Sequence, residues 1–101
     1  MKKVQVIWST EALVDLETIY DFLEEHSPQA AQNVIRQILS RVRQIETFPE
    51  SGATQLRLKN ADKEYRYLVE GNYKIIYRIT DQQAYIATVF DTRYNPDKLK
   101  V

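Results

Sequence analysis

Tyr65, Tyr67, Lys74 and Arg78 in "YRYLVEGNYKIIYRI", with Arg93 in "FDTRYNP", are the side chains of this sequence best suited to hold an anion. Guanidinium and ammonium groups grip phosphate oxygens, arginine in bidentate fashion, and tyrosine rings offer faces on which bases stack. Arg93 follows an apolar run that ends at Phe90 and precedes Tyr94 and an Asn-Pro stop. A rigid strand presents charge at a sheet rim at such a place. An arginine there cuts, grips or merely solvates an edge, depending on what converges with it. Other polar groups offer less. His26, the only histidine, follows "EE" between two helical segments and reads as a solvated loop residue. Arg36, Arg41 and Arg43 read as the solvated face of a helix, as does the acidic "DLETIYDFLEE", whose carboxylates converge with no His or Cys. No metal or cofactor is expected.

The elements that must position these groups are legible from periodicity. "VQVIW" is a β-branched and aromatic run that stops at "ST", a helix N-cap signal. Ala12, Leu16, Ile19, Tyr20 and Leu23 then mark one stripe of a helix. Val14 and Phe22 fall off that stripe, so they either pack elsewhere or stand exposed for a partner. Ser27 and Pro28 start a second helix, with Ala31, Val34, Ile35, Ile38, Leu39, Val42 and Ile45 as its stripe and Pro49 as its stop. The stretch from Glu50 to Glu64 reads as an ordered loop anchored by Leu56 and Leu58. Three strand-like runs follow, "YRYLV", "YKIIYRI" and "AYIATVF", joined by "EGN" and "TDQQ". The order β-α-α-β-β-β predicts an α+β fold in which a helical hairpin packs on one face of a small antiparallel sheet.

A two-residue turn at Gly71 and Asn72 places Tyr65, Tyr67 and Val69 opposite Arg78, Ile76 and Lys74 on one face. Arg66 and Leu68 go to the other face, with Tyr77 and Ile75. A three-residue loop exchanges the two sets. Residues two apart on a strand share a face, which sets Asp91 and Arg93 together on the rim near Lys74.

With 101 residues the chain fits one domain, residues 1–101, closing in a tail from about residue 96. A chain of this size buries roughly two thirds of its unfolded surface. Its 14 Lys and Arg balance its 14 Asp and Glu, which argues against coating nucleic acid by bulk charge. The absence of Cys excludes a disulfide framework and thiolate metal sites. The opening "MKKVQVIWST" holds too short an apolar run for a signal or membrane segment, so a cytoplasmic location and no membrane partner are expected.

That order of elements, together with "ALVDLETIYDFLEE", "FPESG", "YRYLVEGNYKIIYRI" and "DTRYNP", resembles the RelE/ParE superfamily of bacterial toxins over nearly the whole chain. The resemblance implies the toxin of a type II toxin–antitoxin system of the plasmid-stabilisation kind. It also implies a small antitoxin, ParD-like or RelB-like, that wraps over the toxin, with Val14 and Phe22 as docking points. Two targets are implied by the two branches: DNA gyrase, poisoned by binding, or mRNA, cleaved in the ribosome. Metal-independent RNA cleavage needs a base for the 2′-hydroxyl, cationic stabilisation of the phosphorane and an acid for the leaving oxygen. The RelE-like nucleases supply these with a lysine pair, two arginines and a C-terminal tyrosine. Here Tyr65 and Tyr67 stand where the lysine pair would be, Lys74 replaces the first arginine, and Leu99 falls where the tyrosine would be. Only Arg93 matches. The resemblance therefore favours the ParE-like branch, with Arg93, Tyr94, Arg66, Lys74, Arg78, Tyr65 and Tyr67 as the target-binding set. The alternative is an mRNA endonuclease using Arg93, Lys74, Arg78 and Tyr94.

Overall fold

The computed structural model describes residues 3–55 and 65–93. Strand β1 (Gln5–Trp8) leads into helix α1 (Thr10–Glu24), and α2 (Pro28–Thr47) follows after a short turn. Ser9 caps α1 by accepting from the Ala12 N–H at 3.0 Å, and Ser27 caps α2 by accepting from the Ala30 N–H at 3.2 Å, with Pro28 in the first turn. Each hydroxyl satisfies one of the donors that a helix start leaves open. At the far end Phe48, just before Pro49, leaves the helical region with φ −127° and ψ 71°.

Five strands form one sheet in the order β1-β5-β4-β3-β2, with β2 at Ala53–Gln55, β3 at Tyr65–Glu70, β4 at Tyr73–Thr80 and β5 at Gln83–Asp91. The three long C-terminal strands are an antiparallel meander. The sheet as a whole is mixed, because β1 lies parallel to β5, with Ile7 beside Tyr85. A parallel neighbour needs a long crossover, and both helices lie in it. The stretch after Pro49 is more than a loop: β2 pairs with β3, Ala53 lying opposite Tyr67. Leu56 and Leu58 lie outside the described residues.

The helices cover one face of the sheet. Ala12, Ile38, Val42 and Ile45 from the helices meet Leu68, Tyr73, Ile75, Tyr77, Ala84, Ile86 and Val89 from the strands in one buried cluster. Burying a side chain such as Ile38, Ile45 or Ile75 stabilises by about 1.5–3 kcal/mol. Leu39 departs from its expected place. It is 42% exposed, because it sits about 100° round the helix from Ile38, at the margin of the stripe.

A β-bulge decides which side chains of β5 reach this core. Ile76 pairs with Thr88 but Tyr77 pairs with Ile86, which leaves Ala87 as an extra residue. Ile86 and Val89, three apart, are therefore both buried among the core residues. The start of α1 holds the bulge from above. The Ser9 hydroxyl donates to the Ala87 carbonyl at 2.9 Å, and the Asp15 carboxylate accepts from the Thr88 hydroxyl at 2.5 Å and the Val89 N–H at 3.0 Å.

Candidate functional site

The face of the sheet turned away from the helices collects the aromatic and cationic residues. The turn at Gly71 and Asn72 has two residues, with Gly71 at φ +61°, a conformation that glycine adopts at no steric cost. Tyr65 thus pairs with Arg78, Tyr67 with Ile76 and Val69 with Lys74, as the two-residue turn requires. The next turn, Asp81 and Gln82, lies between the paired Thr80 and Gln83 and sets Arg78 opposite Tyr85 as well. Arg78 therefore runs between a tyrosine on each neighbouring strand.

Two cations are seated on rings. The Lys74 ammonium lies 3.9 Å from the centroid of Tyr67, and the Arg78 guanidinium 5.1 Å from that of Tyr85. Cation–π contacts contribute about 0.5–2 kcal/mol and hold a flexible side chain in place. Tyr85 is itself fixed, its hydroxyl donating to the Gln83 side-chain oxygen at 2.6 Å. Ile76 and Phe90 on the same face are 0% and 2% exposed, so the polar groups stand round an apolar floor. Tyr85 is the residue that sequence reasoning missed. Reading "TDQQ" as a two-residue turn would have placed it beside Arg78.

By strand parity, the described residues of this face include no carboxylate and no histidine. Two fixed cations with stacking rings can bind an anionic or polar surface. General acid–base chemistry on this face would fall to its lysine and tyrosine side chains.

The end of β5 is built differently from the expectation. Simple alternation from Tyr85 would put Asp91 on the face of Lys74, but the bulge at Ala87 reverses the parity. Asp91 pairs with Tyr73, whereas Lys74 pairs with Phe90. Arg93 lies beyond the strand, where alternation no longer applies, and turns back on Asp91. Its Nε and Nη2 donate to the two carboxylate oxygens at 3.1 and 2.8 Å, and its backbone N–H donates at 2.9 Å. Thr92 fastens the same corner to the β3–β4 turn, its N–H and hydroxyl both donating to the Asn72 carbonyl at 2.9 Å. Tyr94 lies outside the described residues.

The Arg93 side chain, by its hydrogen bonds, holds the Asp91 carboxyl below the ordinary carboxylate range, against an opposing effect of burial. A pKa lowered in the folded state stabilises above the unfolded value and loses that contribution as pH falls through the folded value. Asp91→Asn should therefore lower stability near neutral pH by about 1–2 kcal/mol and flatten the acid limb of the stability curve. Urea midpoints of the two proteins from pH 7 down to pH 2 check this, and parallel curves would contradict it.

Arg66 belongs to the helix side, as parity predicted, and its Nη1 donates to the Gly52 carbonyl at 2.9 Å and to that of Glu50 at 3.4 Å. It positions the α2–β2 connection and stands apart from the face that carries Lys74 and Arg78. Val14 and Phe22, both off the stripe, are 52% and 51% exposed, and Leu13 beside them in sequence is 54% exposed.

A family model described as the ParE toxin of type II toxin–antitoxin system, parDE, matches residues 6–96. The chain belongs to the ParE toxin family. This ParE-family chain is also 31% identical over 85 residues to Toxin RelE2 of Caulobacter vibrioides, covering 84% of the chain and 91% of that protein. Its fold resembles the chromosomal ParDE toxin–antitoxin system of P. aeruginosa, with a TM-score of 0.72, 18% identity, and 88% and 96% of the two chains covered. It also resembles the RelBE2 toxin–antitoxin complex of Mycobacterium tuberculosis, with a TM-score of 0.58, 21% identity, and 88% and 98% coverage. The ParE-family chain is thus a type II toxin of the RelE/ParE superfamily, with the fold its sequence predicts. No helix among its described residues is long and apolar enough to cross a membrane.

Proposed function

We propose that this toxin arrests bacterial growth by binding DNA gyrase, in the cytoplasm, through the sheet face that carries Tyr65, Tyr67, Lys74, Arg78 and Tyr85. The observation that supports a binder is the seating of Lys74 on Tyr67 and Arg78 on Tyr85, with no carboxylate or histidine among the described residues of that face. Pre-placed cations lose little entropy on meeting a partner. Arg93, placed by Asp91, extends the contact at the rim, and Tyr94 follows it in sequence as a further proposed contact. A cognate small antitoxin neutralises the toxin, docking over the helical hairpin at Val14 and Phe22. The structural neighbours, a ParDE system and a RelBE2 toxin–antitoxin complex, support that partner.

A second reading, a ribosome-dependent mRNA endonuclease with Arg93, Lys74, Arg78 and Tyr94 in the site, is favoured by the likeness to Toxin RelE2. Purified toxin added to gyrase and relaxed plasmid separates the two. The proposal expects loss of supercoiling and trapped, cleaved plasmid at stoichiometric toxin. Unimpaired supercoiling would remove gyrase as the target.

A further inference from the structure

The β3–β4 hairpin that carries Lys74 is gripped from the helical layer. Glu70 and Tyr73 flank the two-residue turn and exchange the ladder hydrogen bonds there, so the next pair, Val69 and Lys74, turns the Val69 carbonyl away from β4. That edge of β3 is open at this point, because β2 pairs with Tyr65, Arg66 and Tyr67 and stops short of Val69. Arg41 fills the gap. From α2 its Nε and Nη2 donate to the Val69 carbonyl at 3.2 and 3.1 Å, and the Glu70 carboxylate lies 3.7 Å from the Nε. Its Nη1 donates to the Gln44 side-chain oxygen at 3.0 Å, and the Gln44 amide donates in turn to the Ser51 hydroxyl at 3.0 Å. All three nitrogens of the guanidinium are engaged, so Arg41 departs from the solvated helix face on which Arg36 and Arg43 stand exposed. On the other side of the hairpin, Thr92 donates twice to the Asn72 carbonyl.

From this geometry we infer that Arg41 is a positioning residue for target binding: it fixes the open edge of β3, so that Val69 and Lys74 meet the target as a rigid pair. The inference rests on the proposed target-binding role of the sheet face and adds to it a residue from the helical layer. By parity Val69 lies on that face beside Lys74, and at 44% exposed it offers the target an apolar contact next to the cation. Side chains directly opposite in an antiparallel pair are neighbours, so movement of β3 at this end shifts the valine and, two residues away, the Tyr67 ring that seats the Lys74 ammonium. A hairpin end that frays must be ordered when the target arrives, and that ordering subtracts from affinity. Two guanidinium donors on one edge carbonyl oppose the fraying.

The test uses the full chain and purified gyrase, with affinity and amide hydrogen exchange measured on the same proteins and circular dichroism as the control for folding. Arg41→Ala should weaken gyrase binding about three- to tenfold, and exchange should quicken from Leu68 to Tyr73 well beyond the rest of the sheet. Arg41→Lys keeps the charge but gives up the fork of two donors on one carbonyl, so its affinity should fall between those of the wild type and Arg41→Ala. In a Val69→Ala/Lys74→Ala background, adding Arg41→Ala should cost less than about twofold more, because residues that act through one another are not additive. Undiminished affinity or unchanged exchange in Arg41→Ala, beside a wild type that binds, would overturn this inference and leave the proposed target standing. A loss of equal size in both backgrounds would mean that Arg41 touches the target itself or supports the fold at large, and would overturn it as well. Wild-type toxin that does not bind gyrase would overturn the proposed target and the inference with it.

Discussion

Gly52→Ala is expected to destabilise the fold by about 3 kcal/mol. A Cβ at Gly52 would lie 2.6 Å from the Tyr77 hydroxyl and 2.7 Å from the Tyr67 carbonyl oxygen. Neither neighbour can yield. The Tyr67 carbonyl belongs to β3, which is paired with β2 on one side and β4 on the other. The Tyr77 ring is fully buried, and its hydroxyl accepts from the Gly52 N–H at 3.0 Å while donating to the Pro49 carbonyl at 2.8 Å. Burial raises the pKa of this phenol above its ordinary value, which keeps it the neutral donor that Pro49 requires. Overpacking of this kind costs about 1–3 kcal/mol, and separating the Tyr77 hydroxyl from its two backbone partners adds about 1–3 kcal/mol more. Urea unfolding of Gly52→Ala beside Ser51→Ala measures it. A loss below about 1 kcal/mol would mean that the α2–β2 connection is far more yielding than this geometry allows.

The second large effect is on toxicity. Lys74→Ala combined with Arg78→Ala is expected to abolish growth arrest while leaving the fold intact, because both side chains lie on the face opposite the helices and neither belongs to the core cluster. Removing two cations from the centre of a binding surface weakens it by about 2–4 kcal/mol, a loss of roughly 30- to 1000-fold in affinity. Tyr67→Phe is the discriminating companion. It keeps the ring under Lys74 and deletes only a hydroxyl, so a stacking platform tolerates it, whereas a tyrosine acting as a proton donor does not. Arg66→Ala should instead show as lost stability, since its guanidinium holds the carbonyls of Gly52 and Glu50.

Much of this arrangement follows from local sequence. Ser9, Ser27, Pro28 and Pro49 mark the ends of the helices through chemistry confined to a few neighbouring residues. Gly71 and Asn72 left two turn lengths open, and the two-residue turn that the structure has admits one β3–β4 pairing, which separates Tyr65, Tyr67, Lys74 and Arg78 from Arg66. What escaped reading is nonlocal. The bulge at Ala87 depends on Ser9 and Asp15, more than seventy residues away in sequence, and without it Asp91 is assigned to the wrong face. Strand β2 is three residues with no apolar alternation, and only the edge of β3 makes it a strand. Tyr85 was hidden for a simpler reason: its place beside Arg78 depends on the length of the second turn. The exposure of Val14 and Phe22 could be narrowed to two outcomes but not chosen, because periodicity names the residues off the core face without saying what else packs there.

On the proposed function, the aromatic and cationic face grips a target and does not cut RNA. Inducing the wild-type toxin and the Lys74→Ala/Arg78→Ala variant in a bacterium, with growth and the 5′ ends of cellular mRNAs followed together, tests it most directly. The expected result is arrest by the wild type with transcript ends unchanged, and normal growth with the folded variant. New codon-biased mRNA ends in the arrested cells, or undiminished arrest by the folded variant, would contradict it.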